Sequence, residues 1–427
     1  MPDGWTNTLL GDCGSWLSGG TPSKARPDYW NGNIPWMSAK DMKQFRLYDA
    51  EDHISAEGAK NGTRVVPAGT ILLLIRGMTL HNDVPVCVAM TEMAFNQDVK
   101  AIIPGINVNK QFLAYWFVAN KPYLLSLVDS ASHGTGRLYP EVLKQIPLLL
   151  PPIEEQNAIA SVLSALDDKI ELNHRMNETI EAMARALFQS WFVDFDPVRA
   201  RMEGRQPFGM DVGTAALFPC TFDNMPQGQV PTGWEVGRLQ DAFNLTMGQS
   251  PPGESYNSDG IGIPFYQGKT DFGFRFPNVR VHCTAPTRHA RKGDTLVSVR
   301  APVGEVNVAI EPCAIGRGVA AVRHKSGSTS YTYYSMQAMR AAFMQYEGEG
   351  TVFGSINKSD FQNLKMTMPS SNVIEAFEQI MHPLDQRIEI NAKQTQSLSI
   401  IRDTLLPKLM SDEVRVRDAE KTVEAVL

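Results

Sequence analysis

The chain of 427 residues has no run of about 18 apolar residues, so no segment is expected to cross a membrane as a helix. Its first residues, Met1-Pro2-Asp3-Gly4-Trp5, show no basic stretch followed by an apolar one, and a cytoplasmic location is the expectation. Cysteine is scarce: Cys13, Cys87, Cys220, Cys283 and Cys313 are odd in number, far apart and form no Cys-x-x-Cys pair. Structural zinc and dithiol redox chemistry are thereby excluded, and the thiols are read as reduced packing residues. His-Glu-x-x-His, paired carboxylates and a glycine-rich cofactor loop are also missing, so no catalytic residue and no metal ligand is assigned.

Excess positive charge is lacking too, since the net charge is −6. Resolved by region, however, residues 1–150 hold 13 basic and 13 acidic side chains, residues 230–368 hold 14 and 11, and the rest hold 13 and 22. The acidity lies outside two segments that are neutral or slightly basic, so a polyanionic partner is not excluded there.

Those two segments are copies. Leu166-Asp167-Asp168-Lys169-Ile170-Glu171-Leu172-Asn173 returns in the second half of the chain as Leu384-Asp385-Gln386-Arg387-Ile388-Glu389-Ile390-Asn391. Upstream, Gly4-Trp5 and Ile34-Pro35-Trp36 return as Gly233-Trp234 and Ile263-Pro264-Phe265, both pairs with one and the same displacement. A period of half the chain is too long for a solenoid and indicates duplication of a whole domain. Apolar segments bounded by Gly, Pro and Asn predict short strands in both copies, with helical patches over 111–127 and 332–346. Beyond Pro152 the apolar spacing changes to steps of three and four. Ile159, Leu163, Leu166, Ile170, Asn173, Asn177, Ile180, Ala184, Leu187 and Trp191 form one seam; Phe377, Met381, Leu384, Ile388, Asn391, Thr395, Leu398, Arg402, Leu405 and Leu409 form its copy. Polar seam residues at matching places fix register and partner, so the helices are expected to pack on one another as a rod about 60 Å long, and the chain path of unit, helix, connector, unit and helix suits an antiparallel coiled coil.

The expected class is α+β, with two similar globular domains separated by two long helices in a pseudo-two-fold repeat. The predicted boundaries are 1–150 for the first domain, 151–193 for the first helix, 194–230 for an extended connector, 231–368 for the second domain, 369–411 for the second helix and 412–427 for a charged, frayed tail.

Leu150-Pro151-Pro152-Ile153-Glu154-Glu155-Gln156 leads into the first helix, and Trp191-Phe192-Val193-Asp194-Phe195-Asp196-Pro197-Val198-Arg199 follows it. With these phrases the chain resembles, over its whole length, the DNA-specificity subunit of type I restriction-modification systems. The second helix departs from the pattern, starting with Met368-Pro369-Ser370-Ser371-Asn372-Val373. The resemblance implies a non-catalytic subunit whose two target-recognition domains each read half of a bipartite double-stranded DNA site. It also implies that the helices bind two methyltransferase subunits, that restriction subunits join the complex, and that S-adenosylmethionine, ATP and Mg are bound by those partners and not by this chain. Glu154, Glu155, Asp167 and Glu178 are candidates to face the methyltransferase.

Two other readings compete, a single-chain methyltransferase or nuclease with twin recognition domains and a coiled-coil scaffold that never touches DNA. Against the first, Gly268-Lys269-Thr270 lacks the first glycine of a phosphate loop, which falls at Ile263. In Ser250-Pro251-Pro252-Gly253, a glycine stands where an aromatic would stack on a flipped base. DNA contacts are expected from loops carrying cations and planar donors. Candidates are Ser38, Lys40, Lys43 and Gln44 after one strand, Gln267 and Lys269 after its copy, Arg76 and Arg300 at corresponding strand ends, Arg137, Arg317 between two glycines, and Asn357 with Lys358. The basic run Arg288, Arg291, Lys292 is expected at phosphate.

Overall fold

Ile71-Leu72-Leu73-Leu74 is apolar on both faces, so as a strand it requires cover on both sides. The computed structural model, which describes residues 4–130, 134–226, 228–348 and 354–427, buries all four completely. The chain forms two compact units, residues 1–173 with 394–427, and residues 174–393.

In the first unit the strand Ile71–Leu74 lies inside a five-stranded sheet, between Val99–Pro104 and Val86–Ala89, with Gly14–Ser18 and Arg46–Leu47 at the edges. A four-stranded sheet runs Asp52–Ile54, Trp30–Met37, Met93–Phe95, Val65–Val66. The helix Lys110–Ala119, capped by the Asn109 side chain, sends Leu113, Ala114 and Phe117 into the same core. It stops at Asn120, and Lys121–Ser126 restarts with a proline in its first turn, which divides the single patch expected over 111–127.

The second unit repeats this plan. Its four-stranded sheet runs Phe243–Met247, Val319–His324, Thr295–Ser298, Val306–Val308, and its five-stranded sheet centres on Ile263–Tyr266. The helix Thr329–Ala338 takes the place of Lys110–Ala119.

Each long helix is continuous for 40 residues, Ile153–Phe192 and Ser371–Met410, and each contributes to both units. Within either unit the two run antiparallel. In the first, Asn173 Nδ2 donates to Gln394 Oε1 at 3.1 Å, Arg402 pairs with Asp167 at 2.8 Å, and Leu163, Leu166, Leu398 and Leu405 are buried together. In the second, Asn391 Nδ2 donates to Asn177 Oδ1 at 2.8 Å, and Ala184 and Phe188 share a core with Phe377 and Met381. All twenty seam residues are buried or half-buried, with Ile170, Ile180 and Leu384 among the half-buried ones.

The differing helix starts have a physical reason. Gln156 is buried, accepts from the Asn109 backbone N–H at 2.8 Å and donates to the Pro151 carbonyl at 2.8 Å, while Glu155 accepts from Trp5 Nε1 at 3.0 Å. In the second copy Ile374 is a buried core residue instead, and Glu378 accepts from the Ser330 N–H at 3.1 Å, taking over the helix N-terminus that Asn109 caps in the first.

Two expectations fail. The stretch 194–230 is folded: after Phe195 at φ 58°, Asp196–Met202 and Val212–Ala216 are helical and Phe222–Met225 pairs with Gly228–Pro231. Pro197 sits in a helix first turn, and Val198, Phe218 and Val230 enter the core with Trp191 and Trp234. The end of the chain is likewise a helix, Val416–Glu424, whose Ala419 and Val423 pack with Trp5, Leu406 and Leu409. In both places charged and turn-forming residues dominate the composition, while a few spaced apolar residues decide the fold.

A second set of contacts ties a loop of the second unit and a strand of the first to the long helices. Arg275 is buried, with Nη1 donating to Glu181 at 2.7 Å and to the Tyr334 hydroxyl at 3.0 Å, Nη2 to Asp385 at 2.7 Å, and the Tyr333 ring 3.5 Å away. The Phe-Arg pair at 274–275 copies Phe45-Arg46, and Arg46 reaches Asp168 and Glu171 on the first helix. Burial pushes the Asp385 carboxyl upward, and Arg275 opposes that shift.

Arg275→Leu would take the 2.7 Å cation from Asp385 and the shortest bond from Glu181, which keeps Tyr334 and Gln337, and urea denaturation of the full chain should show a loss of about 3–5 kcal/mol. Because the folded Asp385 pKa lies above its unfolded value, its contribution to stability is fully present at acid pH and declines as pH rises through the folded pKa. The penalty in the variant should therefore be largest at neutral pH and shrink on acidification; a pH-independent loss would contradict this assignment. Asn391→Ala leaves Asn177 without its 2.8 Å partner. That variant should lose about 1–3 kcal/mol in thermal unfolding, whereas Leu at both positions should recover most of the loss.

Candidate nucleic-acid interface

A strand that ends at the edge of a sheet delivers its next side chain outside the core, and several such ends meet in the second unit. Gln267 follows Ile263–Tyr266, Arg300 follows Thr295–Ser298 by two residues, and Arg317 stands between Cys313–Ile315 and Val319–His324. Gln267, Lys269, Arg300 and Arg317, with Ser250, Thr270 and Pro302, line one open concavity of about 420 Å³.

Backbone pairing holds these loops to each other. The Gly316 N–H donates to the Tyr266 carbonyl at 2.8 Å, and the Val299 N–H to the Gly318 carbonyl at 2.9 Å. The Gln267 N–H donates to the buried Asp271 carboxylate at 2.8 Å, which Arg280 also engages. Gly318 has to be glycine, because a Cβ there would lie 2.2 Å from the Gln267 carbonyl oxygen. The Arg317 side chain is exposed, and its Nε donates to Ser250 Oγ at 3.1 Å. Among the described residues no carboxylate lines the concavity, and Glu305 lies 3.8 Å from Lys269. Two arginines, a lysine that pairs with Glu305 at 3.8 Å and a planar amide suit phosphate and base edges together.

The remaining expected residues are distributed differently. Asn357 caps the helix Lys358–Asn363, its Oδ1 accepting from the Asp360 N–H at 2.9 Å and its Nδ2 donating to the Asp360 carboxylate at 2.7 Å, so its amide serves the helix. Lys358 is exposed at the first position of that helix. Of the basic run, Lys292 pairs with Glu389 at 2.7 Å, while Arg288 and Arg291 are exposed.

In the first unit Arg76 and Arg137 are direct cross-strand partners, and the Arg137 guanidinium lies 4.9 Å from the Tyr139 ring centre. Ser38 is held by Asp41 through its backbone N–H at 2.8 Å and its hydroxyl at 3.2 Å. Lys40 pairs with Asp52 at 2.9 Å and Glu51 at 3.2 Å. Lys43 and Gln44 are exposed and line another cleft, of about 230 Å³, with Tyr115, Lys121, Asp167 and Arg402. The expected reading loop of this unit is thus split.

Gln97 and Thr21 were not among the expected residues. Aligning Phe95-Asn96-Gln97-Asp98-Val99 with Ile315-Gly316-Arg317-Gly318-Val319 places Gln97 where Arg317 stands. Among the described residues no cluster of three His, Cys, Asp or Glu side chains has the arrangement of a metal site. Ser250-Pro251-Pro252-Gly253 leads into a short turn in which Ser255 Oγ donates to the Pro252 carbonyl at 2.6 Å. No helix among the described residues is long and apolar enough to cross a membrane.

The family model for the type I restriction modification DNA specificity domain matches residues 2–182 and 231–399. A type I restriction enzyme MjaIX specificity subunit from Methanocaldococcus jannaschii is 27% identical over 440 residues, covering 98% of this chain and 95% of that one. The HindI specificity subunit of Haemophilus influenzae is 24% identical over 398 residues, 79% of this chain and 84% of its own. In fold, the crystal structure of a type I restriction-modification S subunit from M. genitalium superposes with a TM-score of 0.59 at 16% identity, over 95% of this chain and 96% of that one. Two domain copies, two long antiparallel helices and the matches to both copies lead to one conclusion: the chain belongs to the family of type I restriction-modification DNA specificity subunits.

Proposed function

We propose that this chain reads a bipartite duplex, one half-site per unit, and is the non-catalytic member of a complex with two methyltransferase subunits and with restriction subunits. S-adenosylmethionine, ATP and Mg belong to those partners in this reading, which leaves this chain to bind and to position. The supporting observation is the acid-free concavity of Gln267, Lys269, Arg300 and Arg317. Cations there neutralise phosphates, and the planar guanidinium and amide groups meet base edges. The long helices carry the methyltransferase subunits and set the separation of the half-sites, because each extends without interruption for 40 residues and supplies part of both units.

Lys269 is assigned to phosphate. Lys269→Ala in the complete complex should weaken binding to all duplexes alike and reduce the slope of log affinity against log salt by about 0.9. Fluorescence anisotropy between about 50 and 200 mM salt measures this, and an unchanged slope would remove Lys269 from the interface. Deleting one heptad from each long helix shortens both by about 10 Å, roughly three base pairs of duplex. Mapping methylated adenines in cells carrying the shortened chain should reveal the same half-sites at a narrower gap; an unaltered gap would refute the spacing role.

A further inference from the structure

The loop that carries Arg317 has a counterpart in the first unit with the same backbone pairing. The Gly316 N–H donates to the Tyr266 carbonyl at 2.8 Å, and the Asn96 N–H to the Met37 carbonyl at 3.0 Å. The Gln249 N–H donates to the Ile315 carbonyl at 3.0 Å, and the Gly20 N–H to that of Phe95 at 3.0 Å. The Val299 N–H donates to the Gly318 carbonyl at 2.9 Å, and the Ile75 N–H to that of Asp98 at 2.9 Å. Gly19 and Gly248 close the arrangement, since a Cβ on either would come within 2.2 or 2.1 Å of a carbonyl oxygen of the facing loop. With these three backbone pairs in register, Gln97 and Arg317 leave their sheets at equivalent points, and both are exposed.

Each is oriented by a hydroxyl at the same repeat position. Thr21 Oγ1 donates to Gln97 Oε1 at 2.7 Å, and Arg317 Nε donates to Ser250 Oγ at 3.1 Å. Counted from Gly4-Trp5 and Gly233-Trp234, where the two copies start, Thr21 and Ser250 fall at the same place. Neither bond uses up the recognition group. Arg317 keeps both terminal nitrogens, whose fork matches O6 and N7 of guanine. Gln97 keeps its NH₂ and one lone pair of Oε1, which match N7 and the N6 amino group of adenine. The neighbouring Asp98 carboxylate accepts from the Asn96 side chain at 3.2 Å, so it is already engaged beside Gln97.

We propose that Gln97 and Arg317 are the same base-reading position in the two units, selecting an A·T pair in the first half-site and a G·C pair in the second. Thr21 and Ser250 are positioning residues for it. This rests on the DNA-reading function proposed above and adds the chemistry by which the two halves differ.

The test uses the complex of the full chain with its methyltransferase subunits, after the wild-type methylation motif has been mapped, on duplexes with each base pair of both half-sites replaced in turn. Arg317→Gln should lower affinity for the wild-type site by about 10- to 100-fold and move the preference at one position of the second half-site from G·C to A·T. Gln97→Arg should produce the reverse change in the first. Ser250→Ala and Thr21→Ala, which keep the reading groups, should flatten the preference at those positions and leave the salt slope intact. Uniform weakening over all duplexes with a shallower salt slope would identify a phosphate contact and overturn the proposal, as would unchanged preferences in both exchange variants. A wild-type complex without any sequence preference would be a different failure, that of DNA reading itself.

Discussion

The antiparallel seam between the long helices is the constraint on which the rest depends. An apolar seam slides at little cost, but here Asn173 faces Gln394 and Asn177 faces Asn391. A buried amide finds a partner only in one register, so these pairs fix which residues stand opposite along the seam. Once the register is set, Asp167, Glu181 and Asp385 are presented on defined helix faces. Tyr115, Arg402 and Arg275 then bind them at 2.6–2.8 Å. Each unit is therefore held against the long helices by charge-assisted bonds as well as by packing.

Duplication explains how two similar units can differ in what they contact. Backbone N–H and C=O groups buried at a sheet edge must be paired whatever the side chains are. The loops at 95–99 and 315–319 accordingly keep the same hydrogen bonds, although Asn96-Gln97-Asp98 has become Gly316-Arg317-Gly318. Outward side chains carry no such obligation. At this loop the exposed position differs, Gln97 against Arg317, while the backbone pairing is kept.

Legibility followed physical range. A heptad period is a local signal, and the Asn173, Asn177 and Asn391 positions of the helices could be read directly from it. Repeated strand ends point to Gln267 and Arg300, flanking glycines point to Arg317, and the fold gathers all three around one concavity. Lys40 and Asn357 look the same in sequence but are engaged by Asp52 and Asp360. Composition predicts an extended 194–230 and a frayed 412–427 because it averages over residues, whereas Val198, Phe218, Ala419 and Val423 act singly as anchors.

By itself the sequence determined that there are two domain copies, that strands give way to long helices after Pro152, and that those helices pair through a partly polar seam, since periodicity and repetition are properties of chain order. Only the tertiary structure decided which cations remain available and which are already paired. It gave Gln97 and Arg317 matching backbone pairing, each within its own unit, and set the Thr21 hydroxyl beside the one and the Ser250 hydroxyl beside the other. Hydrogen bonds between residues distant in the chain depend on positions that no local pattern encodes.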